Sequence, residues 1–444
     1  MGAYQQDYDA SGANVIYDGG AVYVYTRSGT VWSQQQKIVA TGTNARVADD
    51  SFGYSLSLYG ESLAVGAYKQ DYNATGMGSA SDSGAVYVYT RTGSTWSQQQ
   101  KIVATGSNAR KFYDEFGHCL SLYGETLAVG AHFQNYDATG ANVLNNTGAV
   151  YVYTRTGSVW SQQQKVVATG TNARAVNDEF GASVALAGDA LLVGAPNQYY
   201  DSNGMNPVIN AGAVYDFKRS GSVWSLNEKL VDTQVVTASR LTNPSALYGA
   251  TVAHSNDGLT LAVGVSGDTL DVSGQNPLTG AGSVFIYTRS TTASSWVLQQ
   301  KITAEGLNAR MEYDYFGSSV SLSADTLAVG ANGQDYDASG ANTIYGAGAV
   351  YVYTRSGGVW SQQQKIVPEG LNARGYYETF GSKLSLSGDT LAVGVSAHDF
   401  DASGNYVEDG GAVFVFSRTG STWSQQQKIV AEGTNARVDF DYFG

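Results

Sequence analysis

The segment FGYSLSLYGESLAVGAYKQDYNATGMGSASDSGAVYVYTRTGSTWSQQQKIV, Phe52 to Val103, contains the pattern that decides the fold. It alternates leucine with serine, turns at YGES, continues as LAVGA, crosses a long polar loop, and then alternates valine with tyrosine before the run WSQQQK. Alternation with a period of two residues is typical of β-strands and excludes a helix. The segment therefore predicts four strands joined by turns.

This segment recurs along the chain about every 64 residues, since the seven tryptophans lie at positions 32, 96, 160, 224, 296, 360 and 423. A fixed period in this range indicates a repeat protein. Four-stranded units with packable side chains on both faces are typical of β-propeller blades, in which neighbouring sheets cover each other. We therefore expect an all-β fold, a seven-bladed β-propeller of four-stranded antiparallel blades formed by residues 1–444 as one domain. A linear solenoid is the competing arrangement.

One blade is split between the chain ends and is expected to be incomplete. Its outer strands are predicted over Ala21 to Arg27 and Val31 to Val39, and Gly2 to Tyr4 matches Gly66 to Tyr68. The inner strand pair, which corresponds to Tyr54 through Val65, has no counterpart, so 26 strands are expected instead of 28. Because open sheet edges attract further strands, we expect strand complementation of this blade by the rest of a parent chain or by a neighbouring molecule. A six-bladed ring with a loose half-blade is the alternative.

The composition excludes several classes of partner. A formal net charge of −13 and a pI near 4.7 repel phosphate backbones, so nucleic acid is not expected. No apolar run is long enough to span a membrane, and the N-terminus lacks the pattern of a signal peptide. With Cys119 as the one cysteine, no disulfide can form within the chain.

The sequence of the repeat resembles that of the FG-GAP family, which includes the propeller of the integrin α-subunit head. The features that carry the resemblance are VGA closures at Val65, Val129, Val193 and Val329, and FG or YG pairs that start at Phe52, Phe116, Phe180, Tyr248, Phe316, Phe380 and Phe443. The resemblance implies a seven-bladed ring, an extracellular or cell-surface location, and a role in adhesion or ligand binding and not in catalysis.

The family's calcium site does not carry over to this chain. In integrin-like blades, calcium is bound by an acidic loop between the first and second strands. The equivalent loops here are YGES, YGET, AGDA and SGDT, each with one acid. One carboxylate cannot supply the six to eight oxygens that calcium takes.

A different loop, between the second and third strands, contains the acids. Its pattern D-x-D-x-S-G has the spacing of the first half of an EF-hand loop, so calcium is the cofactor we consider for it. The alternative is that these residues only form Asx turns. The candidate metal ligands are Asp7, Asp9, Ser11, Asp18, Asp71, Asn73, Asp82, Asp137, Asp335, Asp337, Ser339, Asp399, Asp401 and Ser403.

The loop that leads from one repeat to the next contains a recurring arginine, followed four residues later by aspartate. We expect these residues to tie blade to blade, as bidentate pairs or through backbone hydrogen bonds. They are Arg46, Asp50, Arg110, Asp114, Arg174, Asp178, Arg310 and Asp314.

The long loops lead to the functional expectation. Strand direction alternates within a blade, so both kinds of long loop should emerge on the same face, where they could bind a protein or glycan ligand. We therefore expect a non-enzymatic binding or adhesion module. The alternatives are a building block of a surface assembly that self-associates by strand addition and, less favoured, a carbohydrate-active enzyme.

No catalytic constellation stands out in the sequence. The histidines His118, His132, His254 and His398 are scattered, and ordinary packing is the expected role of the first two. The unit around Trp224 departs most from the repeat, with Arg240 in its long connection, so a unique site would be sought there and in the stretch GDTLDVSGQNPLTG that follows.

Overall fold

The computed structural model describes residues 1–207, 211–232, 246–292, 294–401 and 403–444. These residues form seven antiparallel sheets, six with four strands and one with three, and the expected all-β, seven-bladed propeller with one incomplete blade is confirmed. Contacts between residues divide the chain into two compact units, which are described separately below. The expectation that residues 1–444 form one domain stays a prediction.

The first unit comprises Met1–Thr26, Gln34–Val236 and Gly433–Ala436. It contains three complete blades, each with its strands in chain order across the sheet. Their strands are β4 Ser55–Tyr59, β5 Ser62–Ala67, β6 Ala85–Thr92 and β7 Thr95–Ile102; β8 Leu120–Tyr123, β9 Thr126–Ala131, β10 Ala149–Thr156 and β11 Val159–Val166; and β12 Ser183–Ala187, β13 Ala190–Ala195, β14 Ala213–Ser220 and β15 Val223–Leu230.

The second unit comprises Arg27–Ser33, Thr237–Glu432 and Arg437–Gly444. It contains the other three complete blades, with the same strand order. Their strands are β16 Thr251–His254, β17 Thr260–Val265, β18 Ser283–Thr288 and β19 Val297–Ile302; β20 Phe316–Ser323, β21 Thr326–Ala331, β22 Ala349–Ser356 and β23 Val359–Ile366; and β24 Lys383–Ser387, β25 Thr390–Val395, β26 Ala412–Thr419 and β27 Thr422–Ile429.

The three-stranded sheet is the incomplete blade, and it consists of β1 Gly2–Ala3, β2 Ala21–Ser28 and β3 Val31–Ile38. In β1, Gly2 pairs with Val22 in the register that joins Gly66 to Val86 in the complete blade. The described residues therefore hold 27 strands, and the expected 26 was one too few. A strand of two residues shows no periodicity, which is why sequence alternation could not reveal it.

The FG pair is a fixed joint between consecutive blades. Phe116 forms a parallel bridge with Gly84, and its ring packs edge-on against Tyr151 and Tyr153 at centroid distances of 5.5 and 6.1 Å. Gly84 has a φ of 84°, and a Cβ there would lie 2.0 Å from the Phe116 carbonyl oxygen. Only glycine permits both the left-handed conformation and this close approach of two backbones.

The WSQQQK run joins the outer strand of one blade to the outer strand of the next. The last glutamine of one run donates from Nε2 to the backbone oxygen of the next blade's tryptophan and accepts from the same residue's N–H. In the pair of Gln364 with Trp423, these distances are 2.9 and 2.8 Å. This amide clasp satisfies backbone groups on an edge strand that would otherwise be open to another chain. It recurs in the pairs Gln36–Trp96, Gln100–Trp160, Gln164–Trp224, Gln300–Trp360 and Gln427–Trp32.

Candidate functional site

The D-x-D-x-S-G loops form Asx turns. The Asp9 carboxylate accepts hydrogen bonds from the Ser11 backbone and hydroxyl, at 2.9 and 2.6 Å, and from the Asn14 amide. These bonds, chiefly those from Ser11 and Asn14, hold the pKa of Asp9 well below its usual range. The same arrangement recurs at Asp137, Asp271 and Asp337. The turn alternative thus accounts for the shared residues, and calcium binding by these loops stays a prediction.

The first aspartate of each loop also accepts a hydrogen bond from within the loop. Asp7 accepts from the Asp18 backbone N–H at 2.9 Å, and Asp71 accepts from Asp82 in the same way. Both Asp18 and Asp82 have positive φ, close to 50°. The structure therefore brings the two acids of each loop together as the ends of a closed turn.

The recurring arginine and aspartate bond to different partners. Arg310 donates to the backbone oxygens of Thr269 and Asn276 in the preceding long loop, whereas Asp314 accepts from the Met311 N–H and from the Gln334 amide. Equivalent arginine contacts join Arg46 to Asp7, Arg110 to Asp71 and Arg174 to Thr147, and equivalent aspartate contacts join Asp50 to Gln70, Asp114 to Gln134 and Asp178 to Gln198. The arginines thus bond to the loop, mostly through its backbone oxygens and at Arg174 through the Thr147 hydroxyl, and their role in tying blade to blade stays a prediction.

In the unit around Trp224 and the stretch that follows it, the structure shows a buried ion pair. Arg240 and most of its connection lie outside the described residues. Within GDTLDVSGQNPLTG, Asp268 is buried and forms an ion pair with Lys301 at 2.8 Å and a hydrogen bond with Ser283. Because Asp268 is buried and paired, it is not available to a ligand.

A cluster of polar and aromatic side chains lies instead at the FG turns of two neighbouring repeats. We call it the Tyr–Glu–His cluster, and it consists of Tyr54, Tyr68, Glu115, His118 and His132. Tyr54 and His118 each follow an FG pair, Tyr68 and His132 each follow the end of a second strand, and Glu115 precedes Phe116. All except His132 are partly exposed.

Hydrogen bonds hold the backbone that bears these side chains. The Glu115 N–H donates to the Asp82 oxygen at 3.0 Å, and the His118 N–H donates to the Glu115 oxygen at 3.1 Å. The Gly117 N–H donates to Gly130 at 3.0 Å, which ties the FG turn to the strand that leads into His132. Glu115, with a φ of 55°, is held in a left-handed turn by these bonds. The cluster is therefore built on the turn that recurs in each repeat.

The side chains of the cluster touch. The rings of His118 and His132 lie 4.0 Å apart between centroids, and those of Tyr54 and Tyr68 lie 4.4 Å apart. The Tyr54 hydroxyl lies 3.4 Å from His118 Nε2. Each of Glu115, His118 and His132 offers a ligand atom within 4.8 Å of the others, the one such group among the residues that the structure describes.

Burial sets the protonation of the cluster. It raises the pKa of the Glu115 carboxyl to about 7, with the Asp82 charge adding to the rise. It lowers the pKa of His132 to about 3, with His118 as the second cause, and raises the pKa of Tyr54 to about 12. At neutral pH, His132 is therefore an uncharged imidazole and Tyr54 a phenol that can donate a hydrogen bond.

The expectation that His118 and His132 serve ordinary packing missed this cluster. The two residues are far apart in sequence, and no motif joins them. Aligning the repeats with one another would have shown the cluster. The position after FG and the position after the second strand hold Tyr54 and Tyr68 in one repeat, His118 and His132 in the next, and Ala182 and Pro196 in the one after that. Cys119, which follows His118, donates to the Gly181 oxygen of the next blade.

The chain belongs to the FG-GAP repeat family. The family model matches residues 32–89, 96–153, 160–217, 296–353 and 360–416, which together cover more than half of the sequence. No curated protein sequence matches the chain. The resemblance read from the FG and VGA motifs is thus confirmed.

Solved structures share the fold at low sequence identity. The periplasmic gluconolactonase of Pseudomonas aeruginosa is 13% identical, with a TM-score of 0.52 over 94% of this chain and 93% of that one. A putative 6-phosphogluconolactonase from Bacteroides uniformis is 10% identical, with a TM-score of 0.52 over 94% and 92%. A Lactobacillus plantarum protein is 12% identical, with a TM-score of 0.52 over 95% and 93%.

These structures correct the functional expectation. Non-enzymatic binding or adhesion was inferred from the propeller and its loops, yet proteins named as lactonases have this fold over nearly the whole chain. The predictions of an adhesion module, of a surface building block and of a protein that is not an enzyme were therefore wrong. A fold does not determine a function, so the function has to be argued from the site. Among the described residues, no helix is long and apolar enough to span a membrane.

Proposed function

We propose that this protein is a hydrolase of sugar-derived lactones, which are cyclic esters, and that the Tyr–Glu–His cluster is its active site. The observation that carries the proposal is the convergence of Glu115, His118 and His132, with ligand atoms within 4.8 Å of one another, in a single repeat. The lactonase names of two structures with the same fold support the reaction class.

The cluster contains the groups that ester hydrolysis needs. Water must attack the carbonyl carbon, an oxyanion develops, and the ring oxygen leaves as a hydroxyl that takes up a proton. Glu115 and the two imidazoles converge where they can activate the attacking water, as bases or as the holders of a group that binds it, and the Tyr54 hydroxyl can donate to the oxyanion. The partial burial of these groups strengthens such interactions relative to bulk water.

Aromatic rings and overall charge indicate the substrate class. The rings of Tyr54 and Tyr68 are partly exposed and end in hydroxyls, so they present both an apolar surface and hydrogen-bonding groups to a sugar ring. The net charge of −13 disfavours anionic substrates. We therefore expect an uncharged lactone to be preferred over its phosphorylated form.

Initial rates of ring opening test the proposal. The substrates are glucono-1,5-lactone and its 6-phosphate, with proton release followed by an indicator and the spontaneous rate subtracted. We expect His132→Asn, which introduces the residue found at Asn332, to lower kcat/KM by roughly 100-fold because it removes a group that acts on the water. Glu369→Ser, which removes an exposed carboxylate in another repeat, is the control and should retain the rate. A wild-type rate equal to the spontaneous rate on both lactones would refute the proposal.

We further propose that the protein works outside the cytoplasm. One structure of the same fold is named as periplasmic, and the family resemblance implies an extracellular location. Fractionation of the source cells, with the protein detected by antibody, tests this, and recovery in the cytosolic fraction alone would contradict it.

A further inference from the structure

We propose that Glu115, His118 and His132 bind one divalent transition-metal ion of the zinc type. The metal site stands on its own geometry, and only the metal's part in lactone hydrolysis rests on the proposed function. None of the three residues belongs to the D-x-D-x-S-G loops considered for calcium.

The three candidate ligands come from two rigid points of the repeat. Glu115 and His118 flank the FG pair, and the hydrogen bond from the His118 N–H to the Glu115 oxygen closes the turn between them at 3.1 Å. His132 follows β9, which is bonded to the same turn through Gly117 and Gly130. Ligand atoms within 4.8 Å of one another need only small side-chain rotations to surround an ion at about 2.0–2.2 Å.

His132 has an unsatisfied polar atom at this point. The residue is 5% exposed, and its Nδ1 is buried with no hydrogen-bond partner. Its Nε2 lies 3.6 Å from Glu115 Oε2, which is longer than a hydrogen bond. A buried imidazole nitrogen without a partner destabilises a fold, and a metal ion bound through Nδ1 would remove this penalty.

Packing does not require these residues. Other repeats form the same turn with Ala182 and Pro196, or with Ser318 and Asn332, at the positions of His118 and His132. Glu115 is likewise replaced by Ser51 in the preceding repeat. The ligand set is thus an addition to the repeat that the fold itself does not explain.

The ligand types select the metal. Two imidazoles and one carboxylate match the set that binds catalytic zinc, which leaves a fourth position for water. Calcium and magnesium prefer oxygen ligands only and would bind weakly here. Zinc lowers the pKa of its bound water to about 7, which would supply the hydroxide that attacks a lactone.

The test is metal binding by untagged, full-length protein stripped with a chelator. Calorimetric titration with Zn²⁺, and absorbance with Co²⁺, should show about one ion per chain with the visible bands of four-coordinate cobalt. Glu115→Ser and His132→Asn should each weaken Zn²⁺ binding by at least about 100-fold, and Glu369→Ser, which removes an exposed carboxylate in another repeat, should leave it unchanged. Ca²⁺ in the same cell should not displace Co²⁺ from the site.

The outcomes separate the metal site from the reaction. Absence of Zn²⁺ uptake, or uptake that Glu115→Ser and His132→Asn leave unaltered while both variants keep the wild-type melting temperature, would overturn the metal site. Lactonase activity that persists in the stripped protein would leave the proposed function standing without the metal's role. Zinc binding without lactonase activity would support the site and refute the proposed reaction.

Discussion

Replacing Gln364 with alanine tests whether the amide clasp holds one blade to the next. The side chain makes two hydrogen bonds with the Trp423 backbone, at 2.9 and 2.8 Å. Each such bond contributes about 1 kcal/mol net, and the tryptophan backbone groups left behind are only partly reached by water. We therefore expect Gln364→Ala to lower the free energy of unfolding by about 2–3 kcal/mol.

The chain offers a matched control for this substitution. Gln426 belongs to the equivalent run of β27, is exposed, and bonds only to Ser424 within its own strand. We expect Gln426→Ala to change the free energy of unfolding by about 0.5 kcal/mol or less. Urea denaturation followed by tryptophan fluorescence measures both variants. Equal midpoints for Gln364→Ala and Gln426→Ala would show that the clasp contributes nothing.

Three further results are expected. Gly84→Ala should prevent folding, because its Cβ would overlap Phe116, whereas Gly93→Ala, which has φ 62° and open space, should cost about 1–2 kcal/mol by thermal melts. Burial raises the pKa of Asp178 to about 7 against the opposing Lys229 charge, so the folded state keeps a proton that the unfolded state has lost. The free energy of unfolding should therefore fall as pH rises from about 4 to about 7. Asp178→Asn should flatten the slope of melting temperature against pH. If the D-x-D-x-S-G loops bind calcium, adding it should raise the melting temperature, and alanine at the first aspartate of each loop should abolish the rise; no shift at any concentration would leave these loops as turns.

The strands could be predicted because their signal is local and repeated. Valine and tyrosine alternate in β6, β10 and β22, and each of these strands lies where the alternation places it. The two residues of β1 could be recognised only by matching Gly2 and Ala3 to another repeat. Register shifts within the outer hairpins, such as that between Val152 and Tyr153, leave no mark in the alternation of side chains and could not be foreseen.

The site was harder to predict because repetition concealed it. We predicted metal binding from the acidic loops because they recur in most repeats. Their carboxylates, such as those of Asp9 and Asp337, accept hydrogen bonds that close turns. His118 and His132 occur in one repeat, and only the folded turn brings them within 4.0 Å. The informative feature was that this one repeat has histidines where other repeats do not. From the sequence, we looked for a unique site in the unit around Trp224 instead.

The function could not be read from the fold class. A propeller supplies a rigid frame, and the chemistry depends on a few side chains at the turns. Here the frame is built from phenylalanines that recur in the repeats, such as Phe116, whereas the proposed chemistry uses the nearby Glu115 and His118.

The most direct test of the account is the rate at which the purified protein opens glucono-1,5-lactone, compared between wild type and His132→Asn at equal folded concentration. The account predicts a rate above the spontaneous reaction that falls by roughly 100-fold in the variant. A rate that His132→Asn leaves unchanged would show that the Tyr–Glu–His cluster is not the active site.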